Sequence, residues 1–197
     1  MARPREIDDE SLLAAAQELL FEQGPTAFTL QKSASRAGAS AATLIKRFGS
    51  KRELLLALNR RWVASIVPGI TAATEAHQEP MARLRAAATW GFSDLDSADN
   101  AANQLATLAL DLQDASMQEL LAQGWRMIED HLAGLARDAI DAGALSGHPP
   151  AAHVARILLA TGEGTSLTWC VAPAGSLVSR VEADLDTLLA SWATRSR

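Results

Sequence analysis

The sequence contains no sustained alternation of β-branched and polar residues, which is the pattern expected of a half-buried β-strand. Alanine and leucine instead dominate segments that end at glycine, proline, serine or aspartate. These two residues are among the strongest helix formers, and tyrosine, which favours strands, is absent. The chain is therefore predicted to be all-α.

Capping residues and helix breakers divide the chain into about nine predicted helices. Thr29, Ser40 and Ser50 are candidate N-caps of the second, third and fourth helices. Pro68, in the fourth, lacks an amide donor and clashes with the preceding turn, so a kink or break is expected near Val67. The predicted spans are 8–23, 29–37, 40–48, 51–77, 80–92, 98–112, 116–142, 149–171 and 174–194.

Composition limits the compartment and the chemistry. At 197 residues the chain can bury a core without disulfides, and its single cysteine, Cys170, is typical of a reducing compartment. No apolar run reaches the roughly 20 residues that span a bilayer. There is no Gly-rich phosphate loop, and His148 and His153 are a weak ligand pair. We expect a cytoplasmic protein that uses no membrane, cofactor or metal.

Charge is distributed unevenly along the chain. The net charge is −5, yet residues 29–61 contain eight basic residues against one acid, Glu53. That window carries +7 and the remainder −12, and all three lysines lie inside it. A positive face on an acidic body is what a phosphate-binding surface requires. The alternative is a solvated helix face without a partner.

Residues 29–48 form a candidate helix-turn-helix, in which Gly38 supplies the tight turn between two short helices. The residues predicted to pack these helices together are Leu30, Ala34, Ala37, Leu44 and Phe48, with small Ala39 at the closest approach. The second helix of this pair, which is the third of the chain, has only short side chains on its outward face near its N-terminus. Its backbone can therefore approach base edges in a DNA major groove.

The segment Ala39-Ser-Ala-Ala-Thr-Leu-Ile-Lys-Arg-Phe-Gly-Ser-Lys-Arg-Glu-Leu54, within residues 8–62, resembles the N-terminal domain of the TetR family of bacterial transcriptional regulators. That family typically has Val-Ser-x-x-Thr-Leu-Tyr-x-His-Phe-x-Ser-Lys-x-x-Leu at these positions. The residues that match this pattern are Ser40, Thr43, Leu44, Phe48, Ser50, Lys51 and Leu54. The chain departs from it at Ala39, Ile45 and Arg47.

Two of these departures change the expected DNA contacts. The family tyrosine gives a phosphate hydrogen bond, whereas Ile45 has no polar atom and is expected to contact a thymine methyl group. Arg47 can replace the lost contact, because a guanidinium binds phosphate oxygens with two parallel donors. DNA binding is therefore expected to persist with altered detail.

The other predicted DNA contacts come from helix ends and from the N-terminal arm. Lys46 follows the short residues and can reach a phosphate, while Lys51 and Thr29 lie at helix N-termini, which attract anions. Arg3 and Arg5 form an arm that could follow the minor groove, the alternative being a merely solvated arm. The complete predicted set is Arg3, Arg5, Thr29, Ser40, Ala41, Ala42, Thr43, Ile45, Lys46, Arg47 and Lys51.

The resemblance implies two domains: residues 1–55 bind DNA, and residues 56–197 form a larger helical domain that binds a small ligand and dimerises. Apolar residues at helical spacing in the last two helices agree with a dimer interface. The alternative is that these stripes face the chain's own core. The predicted interface residues are Val154, Leu158, Thr161, Thr165, Leu177, Val181, Leu185, Leu188 and Trp192.

Candidate ligand-binding residues are difficult to separate from plain core, because both form apolar stripes. Asp111 stands out as an acid in an apolar segment that would need a cation or a donor, and His131 follows one turn after Met127. The candidates are Trp90, Leu105, Leu108, Asp111, Leu112, Trp125, Ile128 and His131.

The leading hypothesis is a homodimeric repressor that binds double-stranded operator DNA and is released from it by a small, mainly apolar effector. It is not expected to be an enzyme. One alternative is an all-helical enzyme or a small-molecule or lipid-binding protein without DNA binding, although Cys170 has no histidine at a motif-like spacing. A third alternative, suggested by Ile45 alone, is a regulator-like scaffold that has lost DNA binding.

Overall fold

The computed structural model describes residues 7–193, and this part of the chain is all-α, as predicted. Nine α-helices lie within it, together with a short 3-10 turn at Ser93–Leu95. The helices are α1 (Asp9–Ala27), α2 (Leu30–Arg36), α3 (Ala41–Phe48), α4 (Lys51–Glu75), α5 (Pro80–Thr89), α6 (Ala98–Asp111), α7 (Ala115–Asp141), α8 (Ala151–Val171) and α9 (Leu177–Trp192).

The predicted N-caps are confirmed. The Thr29 hydroxyl accepts a hydrogen bond from the Lys32 amide at the start of α2, with a distance of 3.2 Å. The Ser50 hydroxyl accepts from the Glu53 amide in α4, also at 3.2 Å. These bonds satisfy amide groups that have no partner inside the helix, so each cap fixes where its helix begins.

The predicted end of the first helix after residue 23 is confirmed as a kink, because Gly24 is non-helical, with φ of 70° and ψ of 172°, although α1 resumes through Pro25 to Ala27. The break predicted near Val67 is wrong. The fourth helix runs through Pro68 without a break. A proline inside a helix costs about 3 kcal/mol. Ile66 and Ile70, on either side, are both fully buried, and this apolar burial offsets the lost hydrogen bond.

The chain forms two compact units. The first, called unit 1, comprises the described residues up to Val63 together with Asp99–Leu121. The second, unit 2, comprises Ala64–Ala98 and the described residues from Ala122 onward. The sequence did not predict that α6 belongs with the helix-turn-helix. The assignment of DNA binding to residues 1–55 and of ligand binding to 56–197 concerns roles and stays a prediction.

Unit 1 is built around an apolar cluster contributed by its first four helices. The buried members are Leu12, Ala16, Leu19, Leu20, Phe28, Ala34, Leu44, Leu54 and Leu58. Partly buried Leu30, Ala37, Ala39 and Phe48 pack against this cluster. The predicted packing of the helix-turn-helix is therefore confirmed.

Unit 2 contains the long packing of α8 against α9, with α5 against both. Five residues predicted for the dimer interface are fully buried within this single chain: Val154, Leu158, Leu177, Val181 and Leu185. The alternative interpretation of the stripes is correct for them, because an enclosed side chain presents no surface to a partner. Helical periodicity identifies a buried face but does not distinguish the chain's own core from a second copy.

The other four predicted interface residues are placed differently. Thr165 is buried, and its hydroxyl donates to Asp184 Oδ2 of α9 at 2.8 Å. Thr161, Leu188 and Trp192 are half-buried. Among residues 7–193, no helix combines the length and apolar character needed to cross a membrane.

Candidate nucleic-acid interface

The candidate interface is centred on α3, which follows α2 after a tight turn. Gly38 has φ of 69°, a conformation that favours glycine, and the Ala39 amide donates to the Ala34 carbonyl at 2.8 Å. At the start of α3, the Ser40 hydroxyl accepts from the Thr43 amide at 3.2 Å and lies 3.0 Å from the Thr43 hydroxyl. These contacts set both the entry and the register of the helix.

One face of α3 is buried and the other is open to solvent. Leu44 is fully buried, whereas the Ile45 side chain, its neighbour, is 51% exposed. Ser40, Ala42, Lys46 and Arg47 are exposed, and Ala41 and Thr43 are half-buried. The residues predicted to face outward therefore share one accessible surface, with short side chains at its start and cations at its end.

Many basic side chains of unit 1 form ion pairs with acidic side chains of the same unit. At least four of the eight basic residues between 29 and 61 form ion pairs with acids. Arg36 contacts Glu18 and Glu22 of α1, at 3.0 and 2.6 Å, and Arg61 contacts Glu10 of α1 at 2.6 Å. The Arg36 guanidinium lowers the pKa of the Glu22 carboxyl from its usual value. The local charge of +7 thus overstates the field that DNA would meet.

Arg47, a predicted phosphate ligand, also forms an ion pair with an acidic residue of the same chain. Its Nη1 lies 3.0 Å from Oδ1 of Asp9, in the first turn of α1. Both side chains are partly exposed, so the pair is accessible to water and to competing anions. The start of α1 is therefore held against the end of α3.

Lys51 contacts backbone oxygens. Its Nζ donates to the carbonyl of Phe28 at 2.8 Å and to that of Pro25 at 3.2 Å. It also lies 5.4 Å from the centroid of the Phe28 ring. Thr29 occupies the adjacent position, where its side chain caps α2. Arg3 and Arg5, predicted to form a minor-groove arm, lie outside the described residues.

Helix α6 and the turn after it attach to the same unit through contacts that sequence patterns did not predict. Asn103 donates from Nδ2 to the Phe21 carbonyl of α1 at 2.7 Å. Arg52 binds both carboxylate oxygens of Asp114, at 2.6 and 3.0 Å, and the Ser116 hydroxyl at 3.2 Å. The Arg52 guanidinium lowers the pKa of Asp114. These partners are some 60 to 80 residues apart, beyond the reach of periodicity.

Asp111 is the buried acid that the sequence indicated, with only 5% of the residue exposed. Its donor is Asn59 of α4, whose Nδ2 lies 3.1 Å from Oδ2. Burial raises the pKa of the Asp111 carboxyl, and the nearby Asp114 charge raises it further, against the opposing hydrogen bond from Asn59. Asp111 therefore joins α6 to α4 inside unit 1.

The other predicted ligand-binding residues fall into both compact units. Leu105, Leu108 and Leu112 belong to unit 1, and Leu112 is 47% exposed. Unit 2 holds Trp90, Trp125, Ile128 and His131, all half-buried.

Two of the residues in unit 2 have contacts within that unit. The Trp90 indole lies directly against Gly69 of α4, a contact that any larger residue would obstruct. His131 Nδ1 is 2.9 Å from the Met127 carbonyl. Within residues 7–193, no group of three or more His, Cys, Asp or Glu side chains could hold a metal ion.

The helix-turn-helix and its surrounding core match a known family. Residues 12–58 fit the family model described as bacterial regulatory proteins, tetR family. Residues 12–58 are a TetR-family helix-turn-helix domain. The predicted resemblance to TetR-family regulators, which are not enzymes, is thereby confirmed over this segment.

Similar proteins support the TetR assignment. The HTH-type transcriptional activator FasR of Mycolicibacterium smegmatis is 38% identical over 96 residues, which is 48% of this chain. The match spans only 44% of FasR. SmeT, the repressor of the Stenotrophomonas maltophilia multidrug efflux pump SmeDEF, has 26% identity and a TM-score of 0.69, over 95% of this chain and 91% of SmeT.

A third similarity concerns the fold alone. A putative transcriptional regulator from Saccharomonospora viridis, solved in complex with choline, has a TM-score of 0.80 at 19% identity. The alignment covers 94% of this chain and 97% of that protein. The similarity in fold therefore extends well beyond the segment matched by the family model.

The buried Asp111 carboxyl predicts a specific dependence of stability on pH. Because its pKa is raised in the folded chain, its contribution to stability is present at low pH and is lost as pH rises through that value. We therefore expect the wild type to lose stability relative to Asp111→Asn as pH rises above about 4, the ordinary pKa of aspartate in the unfolded chain. Urea unfolding of both proteins across this range measures the difference. A constant difference would contradict the prediction, and Asp99→Asn, at an exposed position of the same helix, serves as the control.

Proposed function

We propose that this TetR-family chain is a ligand-responsive, DNA-binding transcriptional regulator, acting as a repressor in the cytoplasm. The observation that carries the proposal is the accessible face of α3. Leu44 anchors that helix in the core, while Ala42, Ile45 and Lys46 face solvent. Short side chains permit close approach to base edges, and the cations at the end of α3 suit phosphates.

The proposed contacts divide by chemistry. Ile45 meets a thymine methyl group, and the polar groups of Ser40 and Thr43 lie at the N-terminus of α3, where amides attract phosphate. Lys46 and Arg47 supply the charge that makes binding depend on salt. Arg47 must exchange its Asp9 carboxylate for a phosphate oxygen, so its gain on binding is the difference between two ion pairs.

The proposed regulator is a homodimer, because two recognition helices about 34 Å apart are needed to enter successive major grooves on one side of DNA. The outward face of α8 supports this, with Ala160, Gly164, Leu167 and Val171 exposed at helical spacing. Leu167 is 53% and Val171 82% exposed, which is unusual for large apolar residues and is relieved by a second copy. This face replaces the buried stripe predicted from sequence.

The proposed effector is a small, mainly apolar molecule. Half-buried Trp125 and Ile128 of α7 are candidates for its contacts, and Trp90 is another. An effector that binds better to a DNA-incompetent conformation shifts the population toward it and releases the operator. SmeT is described as a repressor and FasR as an activator, and we favour repression as the simpler consequence of effector-driven release.

Binding to a duplex taken from the region upstream of the chain's own gene tests the function. We expect the dimer to bind this duplex more tightly than a scrambled one in fluorescence anisotropy. Lys46→Met should reduce the slope of log K against log salt by about 1.8, the value for two lost phosphate contacts, one from each subunit of the dimer. Arg126→Met, which removes an exposed cation from α7, is the matched control. No preference for the upstream duplex at low salt, with dimer intact, would contradict DNA regulation.

Removal of the internal acid should strengthen DNA binding. Asp9→Asn removes the carboxylate that pairs with Arg47, and an exposed ion pair is worth about 0.2–1 kcal/mol in each subunit, so the affinity of the dimer should rise about two- to thirtyfold. The same anisotropy assay measures the gain. Glu10→Gln is matched, since it removes one negative charge from the same turn but releases Arg61 instead. Equal gains in both variants would show that net charge, and not Arg47, is responsible.

A charge on the outward face of α8 should dissociate the dimer. Leu167→Glu places an unpaired carboxylate in the proposed interface, and we expect a dimer at least about tenfold weaker because that charge must be desolvated. Sedimentation equilibrium measures the dissociation constant. Ala106→Glu adds the same charge at an exposed position of α6. A Leu167→Glu protein that dimerises like the wild type would rule out this face.

A further inference from the structure

Helix α1 ends without the groups that ordinarily satisfy a helix C-terminus. The last carbonyls of a helix have no amide donors within it, and lysine or arginine in the last turn can bind them and offset the negative end of the helix dipole. The last turn of α1 has no basic residue. Gly24 also departs from helical geometry just before Pro25, which interrupts the ladder of hydrogen bonds near this end.

Lys51 supplies the missing cation from another helix. It is the first residue of α4, a position where a positive charge is unfavourable for its own helix dipole. Its ammonium instead binds the carbonyls of Pro25 and Phe28, at 3.2 and 2.8 Å. The position of Lys51 is thus explained by the end of α1 and not by the start of α4.

The contact also lies directly before the start of α2. Phe28 is 1% exposed and belongs to the core of unit 1, and the lysine nitrogen lies 5.4 Å from its ring centroid. Thr29 follows directly and caps α2. Helix α2 in turn packs against α3. The Lys51 ammonium therefore links the C-terminal end of α1, the residue before the N-cap of α2 and the first residue of α4.

We propose that Lys51 is a positioning residue, whose contribution to DNA binding passes through the placement of α2 and α3 and not through a phosphate contact. This inference rests on the proposed function for its effect on DNA. Two of the three ammonium donors are engaged by carbonyls, and movement toward a phosphate would leave the end of α1 uncapped. Lys46, exposed in the last turn of α3, is the phosphate ligand of the pair.

The first test separates the two roles by salt dependence, using full-length chain and the upstream duplex. Lys51→Met should lose at least about tenfold in affinity while its salt slope stays within about 0.3 of the wild type, because no phosphate contact is removed. Lys46→Met, the same substitution in α3, should lower the slope by about 1.8, because each subunit of the dimer loses one phosphate contact. A comparable fall in slope for Lys51→Met, or an unchanged affinity, would overturn the proposal.

A second measurement needs neither DNA nor a folded variant. The chain has three lysines, so ¹⁵N-lysine labelling gives three ammonium signals in the wild type. We expect the Lys51 ammonium to be more ordered, and its protons to exchange more slowly, than those of Lys46. An equally mobile Lys51 ammonium would overturn the capping role. If the wild type bound no DNA but Lys51 remained ordered, the proposed function would fail and the capping role would stand.

Amide hydrogen exchange gives a third, independent result. In Lys51→Met, amides of α2 should exchange faster than in the wild type, because the junction that precedes them has lost its anchor. Lys46→Met should leave those amides unchanged. Equal exchange in α2 for all three proteins would contradict positioning through the junction.

Discussion

Leu44 is the contact on which the position of the recognition surface depends. Helix α3 has eight residues, too few to be stable alone in water, so its structure must come from packing. Leu44 is its fully buried residue and enters the same cluster as Phe28 and Leu54. The half of α3 that faces solvent keeps its orientation because the other half is fixed in the core. Caps and ion pairs then refine that orientation.

Ion pairs in unit 1 connect α1 to each of the next three helices, α2, α3 and α4. Acids of α1 bind Arg36 of α2, Arg47 of α3 and Arg61 of α4. Individually such exposed pairs are weak, and salt screens them. Collectively they limit the positive field around α3, so that a short exposed set of cations, and not the whole basic window, is available to a polyanion. The acidic residues of α1 thus determine how much of the positive charge of residues 29–61 is available to a polyanion.

Local features were predictable from sequence, and long-range partners were not. Thr29 and Ser40 predict where helices start, because an N-cap contacts an amide only three residues later. The spacing of Leu30, Ala34 and Leu44 likewise indicates a shared apolar face. The stripes of α8 and α9 were equally visible, but periodicity does not specify what covers a face. Lys51 belonged to the TetR motif, yet its carbonyl partners in Pro25 and Phe28 lie 26 and 23 residues earlier, beyond what a local motif specifies.

The engaged ammonium of Lys51 has a consequence for covalent chemistry. Acylation of a lysine requires a deprotonated nitrogen with a free lone pair, and a nitrogen that donates to two carbonyls must first release them. With every lysine between residues 29 and 61, amine-directed reagents leave the rest of the side chains untouched. Lys46 would react ahead of Lys51. Partial acylation would therefore remove charge from α3 before it disturbed the scaffold beneath it.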